Sequence, residues 1–257
     1  MIPVDTFVRS SFEVFGITLQ AWGGFFILAV MYMWYQVQKS ALYQKKINPD
    51  ITLNVLIFSV IGGVLLGRLV YVLERPGLGG EAILMWSDVA MGRMNLFAGM
   101  VGAVALSYAY LKLFKVTSRH RFRTLDLTDV IVQYLPIALI IGRIGSLITH
   151  NIFGKISDSN LPFMFDYTEG IVRHPVVLYL IVGNLVVALV GRIVERKYPD
   201  ISKHSGALTA TFLIAYSLMR IGVDFFRETS GVIGEPTYGP FTRSQIGYTL
   251  VLLTPIA

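Results

Sequence analysis

Six stretches of this chain stay apolar for about 20 residues each, the length at which an α-helix crosses the hydrocarbon core of a bilayer. They run over 14–37, 51–73, 94–114, 130–150, 176–194 and 206–226. A seventh, 245–257, has the same composition but only 13 residues, so either the sequence is trimmed at its C-terminal end or this helix is incompletely inserted. The first stretch has no Lys/Arg-rich segment before it and no small-x-small cleavage site after it, so it is expected to remain as a span. The expected fold is all-α: a polytopic transmembrane helical bundle of about seven spans, forming a single transmembrane domain over 1–257. The segment 151–175 between the fourth and fifth spans is expected to be an outer-face loop or small cap.

Of the 257 residues, 54% are hydrophobic and 15% charged, and the mean hydropathy of +0.62 is too high for an ordinary soluble domain. There is no cysteine, which excludes a disulfide framework, a thiolate metal site and a thiol nucleophile supplied by this chain. The net charge of +6 does not point to nucleic acid, because the basic residues fall in short loops between spans, where they set orientation. On one set of alternate loops lie Lys39, Lys45, Lys46, Lys112, Lys115, Arg119, Arg121, Arg123, Arg192, Arg196, Lys197 and Lys203. The other set holds Arg9, Arg75, Arg93, Lys155, Arg173, Arg227 and Arg243. The richer side is cytoplasmic by the positive-inside rule, which puts the N-terminus outside.

Three basic residues remain, and all lie within spans: Arg68 in "GGVLLGRLVYVLERP", Arg143 in "GRIGSLITHNIFGK" and Arg220 in "IAYSLMRIGVDFFRE". Each sits about 7 to 11 Å inside the outer end of its helix at a rise of about 1.5 Å per residue. Any one of them is able to snorkel to the interface. Three at one depth suit a polar cavity better, because a charge in a span is costly and turns inward to a partner or substrate. Their neighbours agree with this. Arg143, Ser146 and His150 are spaced i, i+3, i+7 on one helix face, Tyr216, Arg220, Asp224 and Arg227 form a second polar stripe, and Tyr71 lies three residues after Arg68. Arg220 and Asp224 also stand at the i,i+4 spacing of a simple neutralising pair.

Gly62, Gly63, Gly67, Gly99, Gly102, Gly142 and Gly145 let helices approach closely, and beside an arginine a missing side chain also leaves room for a ligand. Guanidinium forks match phosphate oxygens, so arginines at outer-headgroup depth suit an anionic phospholipid arriving sideways from the bilayer. No His-x-x-x-His, metal-ligand cluster, P-loop or G-x-S-x-G elbow occurs, so no metal or cofactor is expected. His120 and His204 fall in cytoplasmic loops. His150 and His174 fall at the outer face, where either imidazole is a candidate base.

Five elements in order resemble the prolipoprotein diacylglyceryl transferase family. Gly142, Arg143, Gly145 and Gly154 keep the frame of a fourth-helix signature G-R-x-G-N-F-x-N-x-E-x-x-G. Arg173, His174 and Pro175, followed by Leu178 and Tyr179, match its R-H-P element. Tyr216, Arg220, Asp224 and Arg227 echo a sixth-helix Y-G-x-x-R-x-x-x-E-x-x-R pattern, "GRLVYVL" matches a second-helix element, and Gln245 stands where the family's last helix opens on glutamine. The resemblance implies an enzyme of the bacterial cytoplasmic (inner) membrane. Such an enzyme moves the diacylglyceryl group of phosphatidylglycerol to the lipobox cysteine of a lipoprotein precursor peptide and releases glycerol phosphate. Arg143 and Arg220 would then hold the phosphate, and the nucleophilic sulfur would belong to the substrate. Arg68, Tyr71, Ser146, Asn151, Gly154, Arg173, His174, Tyr216 and Asp224 would bind substrate.

The chain departs from the family pattern at several positions. Ser146, Leu147, Thr149 and Asn151 replace Asn, Phe, Asn and Glu of the signature. Phe97 and Ala98 stand where a third-helix H-G begins, and Val177 and Leu180 replace a glutamine and a glutamate. Three readings follow: a working transferase in which His150 supplies the lost base, an enzyme that passes the lipid group to another acceptor, and a noncatalytic lipid-binding protein.

Overall fold

The structure, a computed structural model, describes residues 2–3, 11–14, 17–45, 47–73, 95–120, 122–150, 152–158, 164–167, 171–202, 204–229 and 237–253. Helices dominate: α1 (Ala21–Lys45), α2 (Pro49–Leu73), α3 (Leu96–Leu113), the short α4 (Val116–His120), α5 (Thr124–Thr149), α6 (Val176–Lys197), the short α7 (Pro199–Ser202), α8 (Ala207–Asp224) and α9 (Arg243–Leu253). Among the described residues α2, α5, α6 and α8 are long and apolar enough to cross a membrane, and a shorter apolar helix runs Phe97–Leu113. The chain is an all-α, multi-pass membrane bundle, as its sequence leads one to expect. α1 matches α2 in length, but Trp22, Trp34, Tyr35, Gln36 and Gln38 dilute its apolar character.

The first expected span begins too early. Position 14 ends a strand, β2 (Ser11–Val14), which pairs antiparallel with β3 (Ile17–Gln20) before α1 opens at Ala21. The reason is visible in Ser-Phe-Glu-Val and Ile-Thr-Leu-Gln, which alternate polar and apolar residues with the period of a strand. A count of apolar residues in a long window misses that alternation.

The chain divides into two compact units, one of residues 1–30 with 132–257 and one of residues 31–131. In the second, α2 and α3 meet at backbone level. A Cβ placed on Gly62 would overlap the carbonyl oxygen of Gly102, and one on Gly102 that of Gly62. A Cβ on Gly63 would stand 3.3 Å from the Gly99 oxygen, and one on Gly67 3.1 Å from the Asn95 oxygen. Polar groups lock this seam: Ser59 Oγ lies 2.6 Å from Ser107 Oγ, Ser107 Oγ donates to the Val55 carbonyl at 3.2 Å, and Asn54 Nδ2 donates to Tyr110 Oη at 3.1 Å. Such bonds between helices in lipid are worth about 0.6 kcal/mol on average. Asn95 caps α3 by accepting from the Ala98 N–H at 3.0 Å, while its own N–H donates to the Gly67 carbonyl at 3.0 Å. The glycines expected to serve packing do so here.

In the first unit α6 packs on α8, where Gly183 admits Met219, and α8 packs on α9. On α5, Gly145 receives Phe25 and Trp22 of the first turns of α1, with Phe25 Cβ only 2.8 Å from where a Cβ would stand. Short strands follow α5: β4 (Phe165–Tyr167) pairs antiparallel with β5 (Ile171–Arg173) and parallel with β1 (Ile2–Pro3). A further two-stranded pair, β6 (Thr237–Tyr238) and β7 (Phe241–Thr242), precedes α9.

If the α2–α3 seam rests on backbone contact, Gly102→Val destabilises the protein by about 1 to 3 kcal/mol, the cost of overpacking a tight interface. Gly191→Val, at a position with nothing within 4 Å among the described residues, leaves stability unchanged. Thermal unfolding in detergent compares the two, and equal melting temperatures would remove the seam from the account.

Candidate functional site

Arg220 lies on the face of α8 that also carries Tyr216, Ser217 and Asp224, and all four are buried, with Arg220 at 2% exposure. Its Nη2 stands 3.3 Å from Asp224 Oδ1, so the i,i+4 pair anticipated from spacing forms. Its guanidinium also faces the ring of Tyr248 on α9, 5.3 Å from the centroid, and donates a hydrogen bond to the Tyr248 hydroxyl. Tyr248 in turn hydrogen-bonds Tyr216 and meets its ring edge-on at 5.7 Å, while Tyr216 stacks on Phe212 at 5.3 Å. Arg220 Nε is a buried donor without a hydrogen-bond partner among the described residues.

Arg143, half-buried on α5, joins this group: its electrostatic neighbours are Arg220 and Arg227 together with the phenols Tyr216 and Tyr248. Guanidinium groups gathered in a medium of low dielectric repel one another, and an anion held between them relieves the repulsion. Among the described residues, nothing lies within 4 Å of where a side chain would begin on Gly142, directly before Arg143. Ser146, one turn further along α5, is buried at 2% exposure.

A second group gathers where the strands meet the helix ends. Arg173 Nη1 donates to the Gly154 carbonyl at 2.8 Å and pairs with Glu228 Oε2 at 2.7 Å, and the guanidinium lies 6.0 Å from the Phe153 ring. Gly154 bridges to Arg227, and a side chain there would strike the His174 carbonyl. His174 Nδ1 sits 3.2 Å from Tyr179 Oη, with the Phe226 ring 5.0 Å away. His150 ends α5 with φ of +44°, a left-handed conformation that histidine adopts more readily than most residues. Its imidazole is buried edge-on against Phe165 at 5.2 Å.

Of the residues singled out from sequence, Arg143, Tyr216, Arg220 and Asp224 come together in one cluster. Gly154, Arg173 and His174 come together in the other, and the Gly154–Arg227 bridge joins the two. Asn151 lies outside the described residues. Arg68 and Tyr71 belong to the other unit: Arg68 is buried at 4% exposure, so it does not snorkel, and its guanidinium lies 5.7 Å from the Tyr71 ring. Two participants escaped the sequence reading. Glu228 directly follows the polar stripe, just beyond the sixth apolar stretch, and Tyr248 reads as one more aromatic in an apolar helix. The family glutamine, Gln245, forms a capping box with Thr242: its Oε1 accepts from the Thr242 N–H at 3.0 Å, and Thr242 Oγ1 accepts from the Gln245 N–H at 3.1 Å.

A sequence profile described as prolipoprotein diacylglyceryl transferase matches residues 9–256. Among curated proteins, the phosphatidylglycerol–prolipoprotein diacylglyceryl transferase of Rickettsia bellii is 26% identical over 86% of this chain and 82% of its own length. The enzyme of that name from Methylococcus capsulatus is 27% identical over 88% and 84%, and that from Methylibium petroleiphilum 31% over 70% and 67%.

Burial lowers the pKa of both His150 and His174, joined at His174 by the charge of Lys155. A histidine held neutral by the fold contributes stability that is full above its unfolded pKa of about 6.5 and is lost as pH falls through the lower folded value. The melting temperature in detergent should therefore drop on acidification below about pH 6.5. His150→Asn, which keeps the left-handed helix end, should flatten part of that drop. An unchanged profile in the variant would show that His150 does not couple folding to pH.

Proposed function

Because this chain belongs to the prolipoprotein diacylglyceryl transferase family, we propose that it carries out that family's transfer on phosphatidylglycerol and a lipobox peptide at the outer face of the bacterial inner membrane, with its N-terminus outside. The observation that carries the reading is the arginine cluster: Arg143 half-buried beside Gly142, and Arg220 with a buried Nε that has no hydrogen-bond partner among the described residues. Phosphate oxygens match these donors, and the lipid reaches them laterally without crossing an aqueous barrier.

In the transfer the substrate's cysteine sulfur attacks the diacylglyceryl carbon bonded to phosphate oxygen. The S–C bond forms as the C–O bond breaks, the bonding electrons pass to the phosphate oxygen, and glycerol phosphate leaves. Charge grows on the phosphate as it departs, so donors aimed there favour the transition state over bound substrate. The thiol proton goes to a base. His150 and His174, neutral at pH 7 through their lowered pKa values, are in the state to accept it. Arg68 and Tyr71 are assigned to the lipid as well, together with Ser146 and Asn151.

Purified protein in phosphatidylglycerol-containing micelles should release glycerol phosphate and add the diacylglyceryl mass to a lipobox peptide. Arg143→Ala should slow this by about 10²- to 10³-fold, the usual loss on removing one charge-stabilising donor. Arg220→Ala leaves Asp224 buried without its cation, which costs about 3 to 5 kcal/mol by itself. The informative variant is therefore Arg220→Ala with Asp224→Ala, which should fold and still be inactive. Phospholipid binding without either product would favour a noncatalytic role, and release without peptide modification a different acceptor. Full activity in both arginine variants would sink the proposal. Orientation is read separately: in this cysteine-free chain, a cysteine replacing Lys155 should react with an impermeant maleimide on intact spheroplasts of an inner-membrane preparation, and one replacing Arg196 only after permeabilisation.

A further inference from the structure

The position of Tyr248 follows from an anchor. Gln245 Nε2 donates to the carbonyl of Ile221 at 3.4 Å, and Ile221 directly follows Arg220. The capping box with Thr242 fixes the start of α9 at that point. One turn on, at i+3, Tyr248 comes onto the same face and lies against Arg220, ring to guanidinium at 5.3 Å, with its hydroxyl bonded to both Arg220 and Tyr216. Tyr248 is 3% exposed, so these contacts are made away from water, where orientation by a hydrogen bond and a ring quadrupole counts for most.

A guanidinium is planar and offers its donors along fixed edges. Asp224 Oδ1 pairs in charge with Nη2 at 3.3 Å, Tyr248 hydrogen-bonds the guanidinium and faces it with its ring, and Nε is left buried without a hydrogen-bond partner among the described residues. We infer that Tyr248 is a positioning residue, which together with Asp224 turns Arg220 so that its Nε edge is presented to the phosphate of the bound lipid. This rests on the anionic-lipid reading above and adds to it a residue that does not itself touch the substrate.

Two arms of one experiment test it on the full-length protein in detergent. Steady-state kinetics of Tyr248→Phe, which keeps the ring against Arg220 and loses only the hydroxyl, should show kcat lowered about tenfold or more, in keeping with a lost hydrogen bond to a charged group, with KM for phosphatidylglycerol nearly unchanged. In protein labelled with ¹⁵N-arginine, the Arg220 Nε–H signal, assigned by its loss in Arg220→Lys, should shift on adding dioctanoyl phosphatidylglycerol. That shift should vanish in Tyr248→Phe. Wild-type values in both arms for Tyr248→Phe overturn the inference. So does a drop in activity that merely follows loss of folded protein while the Nε response persists. If the wild type transfers nothing, yet its Nε signal responds to lipid and Tyr248→Phe abolishes the response, the positioning role stands and the transferase reading falls. A wild-type Nε signal that ignores the lipid overturns the inference whatever the activity.

Discussion

A guanidinium buried to 2% exposure in a bundle that crosses lipid is the constraint around which the first unit is arranged. Removing such an ion from water costs several kcal/mol even after relaxation, and the cost is met only where geometry supplies partners. Asp224 one turn along the same helix supplies the charge, and Tyr248 supplies a hydroxyl and a ring face from another element. α8 and α9 must therefore meet at this depth, and the Gln245 bond to Ile221 makes them do so. Packing of the helices and presentation of the arginine are here one problem with one solution.

The strands after α5 extend that arrangement outward. Arg173 and Glu228 connect the segment entering α6 with the one leaving α8, and the Gly154–Arg227 bridge passes between them. Two imidazoles lie in this layer, each against an aromatic ring, His150 on Phe165 and His174 beside Phe226. Arg143 and Arg220 thus lie within the helices and the proton-accepting candidates at helix ends, which suits the proposed reaction, whose lipid comes from the bilayer and whose peptide comes from water.

Much of this was legible in the sequence wherever a pattern has one physical cause. Long apolar runs must be helical in lipid, since no water is present to satisfy the backbone. The Arg220–Asp224 pair followed from helical spacing, and the glycine seam from small residues at matching positions. What escaped has equally specific causes. The pairing of β2 with β3 was hidden because apolar residues alternating with polar ones still add to a hydropathy window. Tyr248 is informative only through its contact with a helix distant in sequence, which no local spacing reveals. Gln245 was visible as a family position, yet Thr-x-x-Gln is also a capping-box signature, and its local chemistry was there to be read.

The seam between α2 and α3 bears on how the protein responds to its solvent. With 18 residues, α3 rises about 27 Å, while α2 with 25 rises about 37 Å. The first falls just short of a hydrocarbon core of about 30 Å and the second exceeds it. Helices of unequal length ordinarily adjust to bilayer thickness by tilting separately. Joined through Gly62 and Gly102 without side chains between them, these two tilt as one body and take Arg68 and Tyr71 with them. Membrane thickness, and with it acyl-chain length, thereby becomes a variable that sets the depth of Arg68 in the bilayer.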